Sequence, residues 1–510
     1  MQIPFPERIP LLYAILFAFL LFIGLLASGT GMLFSCLAFA FVVLGTIAFN
    51  MAGGFTRPSG SYVFFFAVLG VVLGLAIKVV IWEPAESLLH APITTMSAYT
   101  AGMAAMLAAV YVSRKISRKE GFLQEICTTD EMGLAAIGCV IGGFVIPLLA
   151  QYVVDSGDET LLPLATASKQ FDRFLAMGII LGTTYEIRKS GGKRCYNISV
   201  VVAAALIWFN GLILNFSKEA LFTPPLCWLV AGAAMRFRYS IFQWAGIFLF
   251  FWLANHYMVP YSQYGRNFKD PTNTYSQQLA IANTLLGDLG DVREKYLADE
   301  RAIVRKEDGF YFFNNPMGLF DRLQMIGVDD SLNAVTNEKG EYGMAPYLYY
   351  ASAVIPRVLW KNKPTIGYGN TFAHEIGFNP EDTTTGISFT PIGEVYHEAK
   401  WLGVLIVAPL IWFMLFSIMD SLCGDLRKSP WGILAFATFA HIGPEGGIEG
   451  ACYAMTYGAL IVVIVAYFSA YVMPLVASFV TPPQRKLVVG TAREGKGPAF
   501  ANPEPEPAKQ

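Results

Sequence analysis

The apolar residues of this chain come in long blocks, and this feature constrains its fold more than any other. Blocks of about 20 apolar residues have the length that crosses the hydrocarbon core of a bilayer as a helix, whereas a soluble helix shows only an apolar stripe. Twelve such blocks can be read from the sequence: 10–28, 31–52, 61–82, 95–113, 133–154, 166–185, 198–214, 220–235, 239–258, 402–419, 430–443 and 451–475.

The composition agrees with a membrane location. Hydrophobic residues make up 55% of the chain and charged residues 15%, against roughly 25% charged residues in soluble domains. The sequence therefore predicts an all-α polytopic membrane protein with about twelve transmembrane helices. The eighth and eleventh blocks are short, and a tilted or re-entrant segment there would lower the count by one or two.

The short loops between blocks predict the orientation of the chain. Lysines and arginines gather in the loops 114–121 and 186–197, whereas the alternate loops 83–86 and 155–159 are acidic. Cytoplasmic loops of membrane proteins carry an excess of Lys and Arg. Twelve crossings with both termini in the cytoplasm satisfy this pattern.

One long segment interrupts the blocks and divides the chain. We expect a transmembrane bundle of about nine helices at 1–258, a loop outside the cytoplasm at 259–401, closing transmembrane helices at 402–478 and a disordered cytoplasmic tail at 479–510. A loop of this length is usually functional or disordered. Its many aromatic residues argue against disorder, and helices are expected at 275–306 and, as an interfacial element, at 344–359. It contains no cysteine, so no disulfide is expected in it.

Ionisable side chains recur at the predicted outer ends of the helices. Such groups are costly near membrane depth, so they are candidates for function. If the helices form a bundle, these side chains converge on one cavity that faces outward. The set comprises Arg173, Lys218, Arg357, Lys361, Lys363, Glu394, His397, Lys400, His441, Glu445 and Glu449.

Each candidate also has a structural interpretation. Arg173 can pair with a neighbouring aspartate, Lys218 can anchor its helix at the interface, and the basic cluster 357–363 can hold lipid headgroups. His397 can be a solvated surface residue, and His441 can cap a glycine-rich turn. Glu394 is harder to explain in this way, since it lies within an apolar and aromatic stretch.

The basic residues suit a phosphate-bearing substrate. Arginine and lysine bind a diphosphate through charge-assisted hydrogen bonds and stabilise the charge that develops as the diphosphate leaves. The candidate diphosphate-binding residues are Arg357, Lys363, Lys218 and Arg173.

The acidic and imidazole groups suit proton transfer. A carboxylate or a neutral imidazole near an acceptor hydroxyl can act as general base. The candidates are Glu394, His397 and His441, of which the first two share a face if their stretch is helical. No compact cluster of metal ligands is apparent, so neither a metal nor another cofactor is predicted.

Three segments resemble a known family. They are VIPRVLWKNKPTIGYGN at 354–370, SFTPIGEVYHEAKWLGVL at 388–405 and NFSKEALFTP at 215–224. Their Pro-Arg, Lys-Pro, Glu-x-Tyr and Ser-Lys elements are similar to those of the O-antigen polymerase, or oligosaccharide-repeat-unit polymerase, family (Wzy-like). The order of parts, with many spans before one large late loop, is also similar.

The resemblance implies a glycosyltransferase-C-like bundle in a bacterial inner membrane, with a large periplasmic loop. Its substrates would be undecaprenyl-diphosphate-linked oligosaccharides, joined on the periplasmic side. The bilayer and a possible chain-length regulator would be its partners, and nucleic acid would not. Lys218, Arg357, Lys363 and Glu394 match the pattern, whereas Arg173 and His441 are placed by topology. The sequence departs from the pattern at 397–400, where many members have Asn, an aromatic residue and Gly.

Two other functions compete with the polymerase. An O-antigen ligase, which transfers finished polymer to lipid A core, is similar in layout, and three histidines of this chain could serve it. A lipid-linked glycan flippase or transporter would show internal repeats and charges at mid-membrane. The halves of this chain show no convincing repeat, and its charges gather at one face.

Overall fold

The computed structural model describes residues 1–124, 126–155, 172–269, 273, 275–304, 311–315, 317, 320–321, 323–353, 355, 360, 367–378 and 386–480. In these ranges the regular elements are helices, as predicted. The helices are α1 (Leu11–Ala27), α2 (Met32–Ala52), α3 (Pro58–Val80), α4 (Pro92–Ile116), α5 (Thr129–Asp155), α6 (Asp172–Lys189), α7 (Ile198–Leu214), α8 (Lys218–Ala234), α9 (241–265), α10 (Tyr275–Gly287), α11 (Leu289–Val304), α12 (Ile326–Lys339), α13 (Ala345–Ala353), α14 (Tyr368–Glu375), α15 (Pro391–Cys423), α16 (Trp431–Glu445) and α17 (Gly447–Ser478).

Several helices have the length and apolar composition of membrane spans. Six of them meet this description within the described residues: α2, α3, α4, the Thr129–Leu149 part of α5, α15 and α17. Helices α1 and α7 are apolar but shorter. The chain is thus a helical membrane protein, and every predicted apolar block overlaps a helix. Twelve crossings stay a prediction.

The centre of the bundle is built from aromatic side chains. Helices α2, α3, α4, α15, α16 and α17 contribute to one continuous apolar core. Within it the buried Trp412 indole N–H donates to the Tyr62 hydroxyl at 3.2 Å. The Tyr62 ring in turn packs edge-on against Phe416 and Phe439. This pairing satisfies the polar atoms of two large residues in an otherwise apolar interior.

The long loop segment is more divided than predicted. The helix expected at 275–306 is two helices, α10 and α11, which are separated at Asp288. The Asp288 side chain accepts a hydrogen bond from the Asp291 backbone N–H at 3.1 Å, as an N-cap does. Gly287 before it weakens the preceding helix. Helix α13 covers the first part of the stretch expected at 344–359, and residues 354 and 356–359 lie outside the described residues.

Helix α15 begins at Pro391, well before the predicted apolar block at 402. Thr390 is its N-cap, and its hydroxyl accepts a hydrogen bond from the Gly393 backbone N–H at 3.1 Å. Proline is favoured at the first helical position. The first turns of α15 are therefore polar yet helical, and a search for apolar residues does not detect them.

A break separates this polar start of α15 from its apolar remainder. Ala399 and Lys400 have non-helical backbone angles, and Lys400 has φ +46°. Just before the break, the carbonyl groups of His397 and Glu398 accept hydrogen bonds from the backbone N–H groups of Tyr342 and Gly343, at 2.9 and 3.0 Å. N–H groups of the loop segment thus donate to helix carbonyls next to the break, so these buried carbonyls keep a hydrogen-bond partner.

Candidate functional site

The candidate site lies at one end of the bundle, which we call the loop end. Here α12, α13 and α14 of the loop segment contact the first turns of α15, and α12 also contacts α4. The first turn of α17 packs against α15 at the same place.

Glu394 lies in the first turn of α15 and is only 6% exposed. Its Oε2 atom accepts a hydrogen bond from the Ile448 backbone N–H at 2.6 Å. Gly447, at φ +59°, lies directly against the carboxylate, because a Cβ atom there would be 2.1 Å from Oε1 of Glu394. The Gly447 N–H also donates to the Phe389 carbonyl at 3.1 Å. The start of α17 therefore fixes the position of this carboxylate.

Two further carboxyl groups lie near Glu394. Glu398, one turn later, is fully buried, and its Oε1 accepts a hydrogen bond from the Tyr350 hydroxyl at 3.0 Å. Glu449 interacts electrostatically with both Glu394 and Glu398. Oε2 of Glu398 and the Tyr347 hydroxyl are also buried and interact with each other, but without the geometry of a regular hydrogen bond. Three acidic side chains of α15 and α17 therefore lie close together at the loop end.

His397 faces a different part of the loop end. Its Nδ1 is 2.8 Å from the Thr336 hydroxyl of α12, and its Nε2 is 3.2 Å from Oε2 of Glu375 on α14, without hydrogen-bond geometry. The edge of its ring contacts Phe372, with the centroids 4.7 Å apart. His397 is 1% exposed, so its interpretation as a solvated surface residue is wrong. It contacts the loop helices, whereas Glu394, three residues earlier, contacts α17.

His441 is partly exposed on α16. Its side chain is 52% exposed, and its Nδ1 lies 3.7 Å from Oε2 of Glu445 on the next turn. This distance is too long for a hydrogen bond.

Arg173 is the second residue of α6 and lies half-buried against α16, where it donates a hydrogen bond to the Thr438 hydroxyl at 3.2 Å. It lines a cavity of about 20 Å³, which has room for roughly one water. The aspartate side chains with which Arg173 was expected to pair lie outside the described residues. The other cavity residues are mostly apolar: Met419, Leu434, Ala435, Thr438, Phe439, Tyr453, Ala454, Gly458, Ile461 and Val462.

The remaining predicted cations are only partly described. Lys218 is the first residue of α8 and is half-buried, directly after the N-cap Ser217. Arg357 and Lys363 lie outside the described residues. The acidic half of the predicted site is therefore described in full, and the basic half is not.

Sequence reasoning missed two aspartates of α12. Asp329 and Asp330 are both fully buried. Asp329 accepts hydrogen bonds from the Tyr99 hydroxyl at 2.8 Å, from the Thr390 N–H at 3.1 Å and from the Thr390 hydroxyl. Burial raises the pKa of Asp329 to about 7, against the effect of these hydrogen bonds, and it also raises the pKa of Asp330. Two consecutive aspartates between apolar residues, in IGVDDSL, were the available signal.

Sequence reasoning also missed Lys78 near the end of α3. Its ammonium group is fully buried, 2.8 Å from Oε2 of Glu83 and 5.2 Å from the centroid of the Phe312 ring. Glu83 also accepts from the Asn314 N–H at 3.2 Å. These contacts attach residues 311–315 of the loop segment to the bundle, and they give Lys78 a structural role.

Among the described residues, no group of three or more His, Cys, Asp and Glu side chains is arranged to hold a metal ion. No protein-family model matches the chain, and searches of curated proteins and of solved structures found no significant match either.

Proposed function

We propose that this protein is a membrane glycosyltransferase that polymerises undecaprenyl-diphosphate-linked oligosaccharide repeat units. In this proposal it resides in a bacterial inner membrane, crosses it about twelve times with both termini in the cytoplasm, and has a glycosyltransferase-C-like bundle. The loop end then faces the periplasm, where both lipid-linked substrates meet.

The observation that carries the proposal is the placement of Glu394. A buried carboxylate that accepts a backbone N–H from the start of a second helix is held in one orientation. A general base requires such a fixed position, because a small misplacement of a reacting group lowers the reaction rate. Glu394 also lies in the Glu-x-Tyr segment that resembles the polymerase family.

The reaction follows from these roles. Glu394 accepts the proton of an acceptor sugar hydroxyl, whose oxygen forms a bond with the anomeric carbon of the donor. The bond from that carbon to the donor diphosphate breaks, and its electron pair leaves with the diphosphate. Arg357, Lys363, Lys218 and Arg173 are proposed to hold this leaving group, whose charge they would stabilise. His397, which contacts α12 and α14, and His441, which lies on α16 next to Glu445, are the alternative candidates for the base.

Glu394 is covered in the described arrangement, so an acceptor reaches it only when this cover opens. The start of α17 lies directly against its carboxylate, and Tyr347 and Tyr350 of the loop helix α13 lie close enough to interact with it electrostatically. A chain-length regulator would be a natural partner at this surface, since the loop segment forms it.

The test is the surface polysaccharide profile of a strain that lacks the protein, complemented with wild type, Glu394→Gln, Arg357→Ala or Glu341→Gln. Glu341 is an exposed carboxylate of the same loop segment and serves as the matched control. We expect single-repeat chains in the deletion strain. Wild type and Glu341→Gln should restore the ladder, whereas Glu394→Gln and Arg357→Ala, at normal membrane levels, should not.

Other profiles would overturn the proposal. Polymer that accumulates without attachment to lipid A core would identify a ligase. An unchanged profile in the deletion strain would remove the glycan hypothesis. A ladder restored by Glu394→Gln would exclude this residue as the base.

A further inference from the structure

Asp329 of α12 joins three elements of the loop end through one carboxylate. Tyr99 of α4 donates to its Oδ2 at 2.8 Å, and the Thr390 hydroxyl donates to the same atom. The Thr390 backbone N–H donates to Oδ1 at 3.1 Å. Both oxygens of a fully buried carboxylate are therefore occupied by donors. The carboxylate is thus held by α4 and by the residue that directly precedes α15.

Thr390, which donates two hydrogen bonds to Asp329, determines where Glu394 lies. Thr390 is the N-cap of α15, and its carbonyl accepts the first helical hydrogen bond, from the Glu394 N–H at 3.1 Å. The carbonyl of the preceding residue, Phe389, accepts a hydrogen bond from the Gly447 N–H. The next N–H, that of Ile448, donates to the Glu394 carboxylate. A shift of Thr390 would therefore move the backbone of Glu394 relative to the start of α17.

The fit between Asp329 and α15 is close. A Cβ atom at Gly393 would lie 2.4 Å from Cγ of Asp329, so the carboxylate lies directly against the first turn of the helix. A hydrogen-bond acceptor buried at this position also compensates N-terminal N–H groups that lack partners within the helix.

We propose that Asp329 is a positioning residue that sets the orientation of Glu394 through Thr390. The assignment of a catalytic purpose to this positioning rests on the proposed function, whereas the positioning itself does not.

The neighbouring aspartate provides a matched comparison. Asp330 is equally buried on the same helix, but its donors are the backbone N–H groups of His90 at 2.5 Å and Ala91 at 3.1 Å, and the Thr95 hydroxyl at 2.8 Å. Asp330 therefore attaches α12 to the start of α4, while Asp329 attaches it to α15 as well.

Hydrogen exchange of the purified full chain in detergent tests the positioning without any substrate. Asp329→Ala should raise exchange about tenfold or more in peptides that contain Gly447 and Ile448, because their acceptors shift. Asp330→Ala should instead raise exchange at His90 and Ala91. The Leu426 N–H, which donates to the Thr56 carbonyl at the opposite end of the bundle, should be unaffected in both variants. Unchanged exchange at 447–448 in Asp329→Ala would overturn the proposal, and so would a rise of equal size at all three places.

If Asp329→Ala does not accumulate in membranes, two variants of Thr390 test the same connection. Thr390→Val keeps the volume of the side chain but removes the hydroxyl that donates to Asp329, and Thr390→Ser keeps the hydroxyl. Exchange at 447–448 should rise in the valine variant only. An equal response of both variants would contradict the proposed connection.

The polysaccharide ladder tests the link to catalysis. Asp329→Asn should restore it at least in part, since an amide can accept from the Thr390 N–H with its oxygen and donate to the two hydroxyl groups, whereas Asp329→Ala should not. Failure of both, with normal exchange at 447–448 in Asp329→Asn, would make Asp329 a proton carrier and would overturn the positioning role. If Glu394→Gln restores the ladder while the exchange results hold, the proposed function fails and the positioning stands.

Discussion

At the end of the bundle opposite the loop end, a buried carboxylate and a buried guanidinium each form several hydrogen bonds. Asp420 accepts from the Ser59 N–H at 3.0 Å and from its hydroxyl at 2.7 Å. Arg57 donates to three backbone carbonyls, those of Asp420, Arg118 and Lys119, at 3.4, 3.2 and 2.6 Å. At the loop end, by contrast, Oε2 of Glu398 interacts with the Tyr347 hydroxyl without the geometry of a regular hydrogen bond. Among the described residues, moreover, Glu394, Glu398 and Glu449 form no ion pair with Lys or Arg.

The difference separates two uses of buried polar groups. A fully hydrogen-bonded set fixes helix ends and is costly to disturb, since each released group loses a partner without regaining water. Buried polar groups that lack some hydrogen-bond or ion-pair partners lower the stability of the fold, and such groups are expected at functional sites. We therefore expect substitutions at the opposite end to abolish folding and substitutions at the loop end to abolish function first.

The largest effect is expected from Gly60→Ala at the opposite end. The added Cβ would lie 1.9 Å from the carbonyl oxygen of Gly54, which also accepts a hydrogen bond from the Arg57 backbone N–H at 3.3 Å. We expect a loss of about 3 kcal/mol of stability and little protein in membranes. Gly246→Ala, where nothing lies within 4 Å, is the control. Normal membrane levels and thermal stability of Gly60→Ala would contradict the distinction between the two ends.

A smaller effect on stability, with a larger one on function, is expected from Gly447→Ala. The new Cβ would displace the Glu394 carboxylate, and φ +59° disfavours alanine by about 1 kcal/mol. The protein should accumulate in membranes but fail to restore the polysaccharide ladder. The control is Gly458→Ala on the same helix, where the nearest atom would be 3.6 Å away. A normal ladder in Gly447→Ala would show that polymerisation does not require the close contact between the start of α17 and the Glu394 carboxylate.

The smallest effect expected is a change in pH dependence at the loop end. Because its pKa is raised to about 7 in the folded state, Asp329 stabilises the fold most at low pH, and this contribution is lost as the pH rises through that value. Asp330 and Glu375, whose pKa values are also raised by burial, act in the same direction. The melting temperature of wild type should therefore fall more between about pH 5 and about pH 8 than that of Asp329→Asn. If the melting temperatures of wild type and Asp329→Asn change with pH in parallel, Asp329 does not titrate in this range.

Much of the secondary structure was readable from the sequence. Each predicted apolar block overlaps a helix, because hydrophobicity along 20 residues is a local property that needs no knowledge of neighbours. Helix ends with polar caps were less readable. The start of α15 at Thr390 and the division at Asp288 depend on single side chains that bind nearby backbone N–H groups, and these leave no trace in an average over apolar residues.

The candidate site was partly readable. Glu394 was identified because a charged residue among apolar neighbours is costly unless it has a purpose. Asp329 was not, although its carboxylate contacts Thr390 across 61 positions of the chain. Nor was the role of Gly447, whose position is set by packing of α17 against α15.

The sequence by itself determined that this is a helical membrane protein with a long loop segment and an unusual glutamate at its end, because composition and periodicity act over short stretches. The tertiary structure alone decided which groups meet that glutamate. The Ile448 N–H lies 54 residues from it in the chain, and Asp329 reaches its helix from a different element. Such contacts depend on how helices pack side by side, and many residue types at distant positions satisfy the same local pattern.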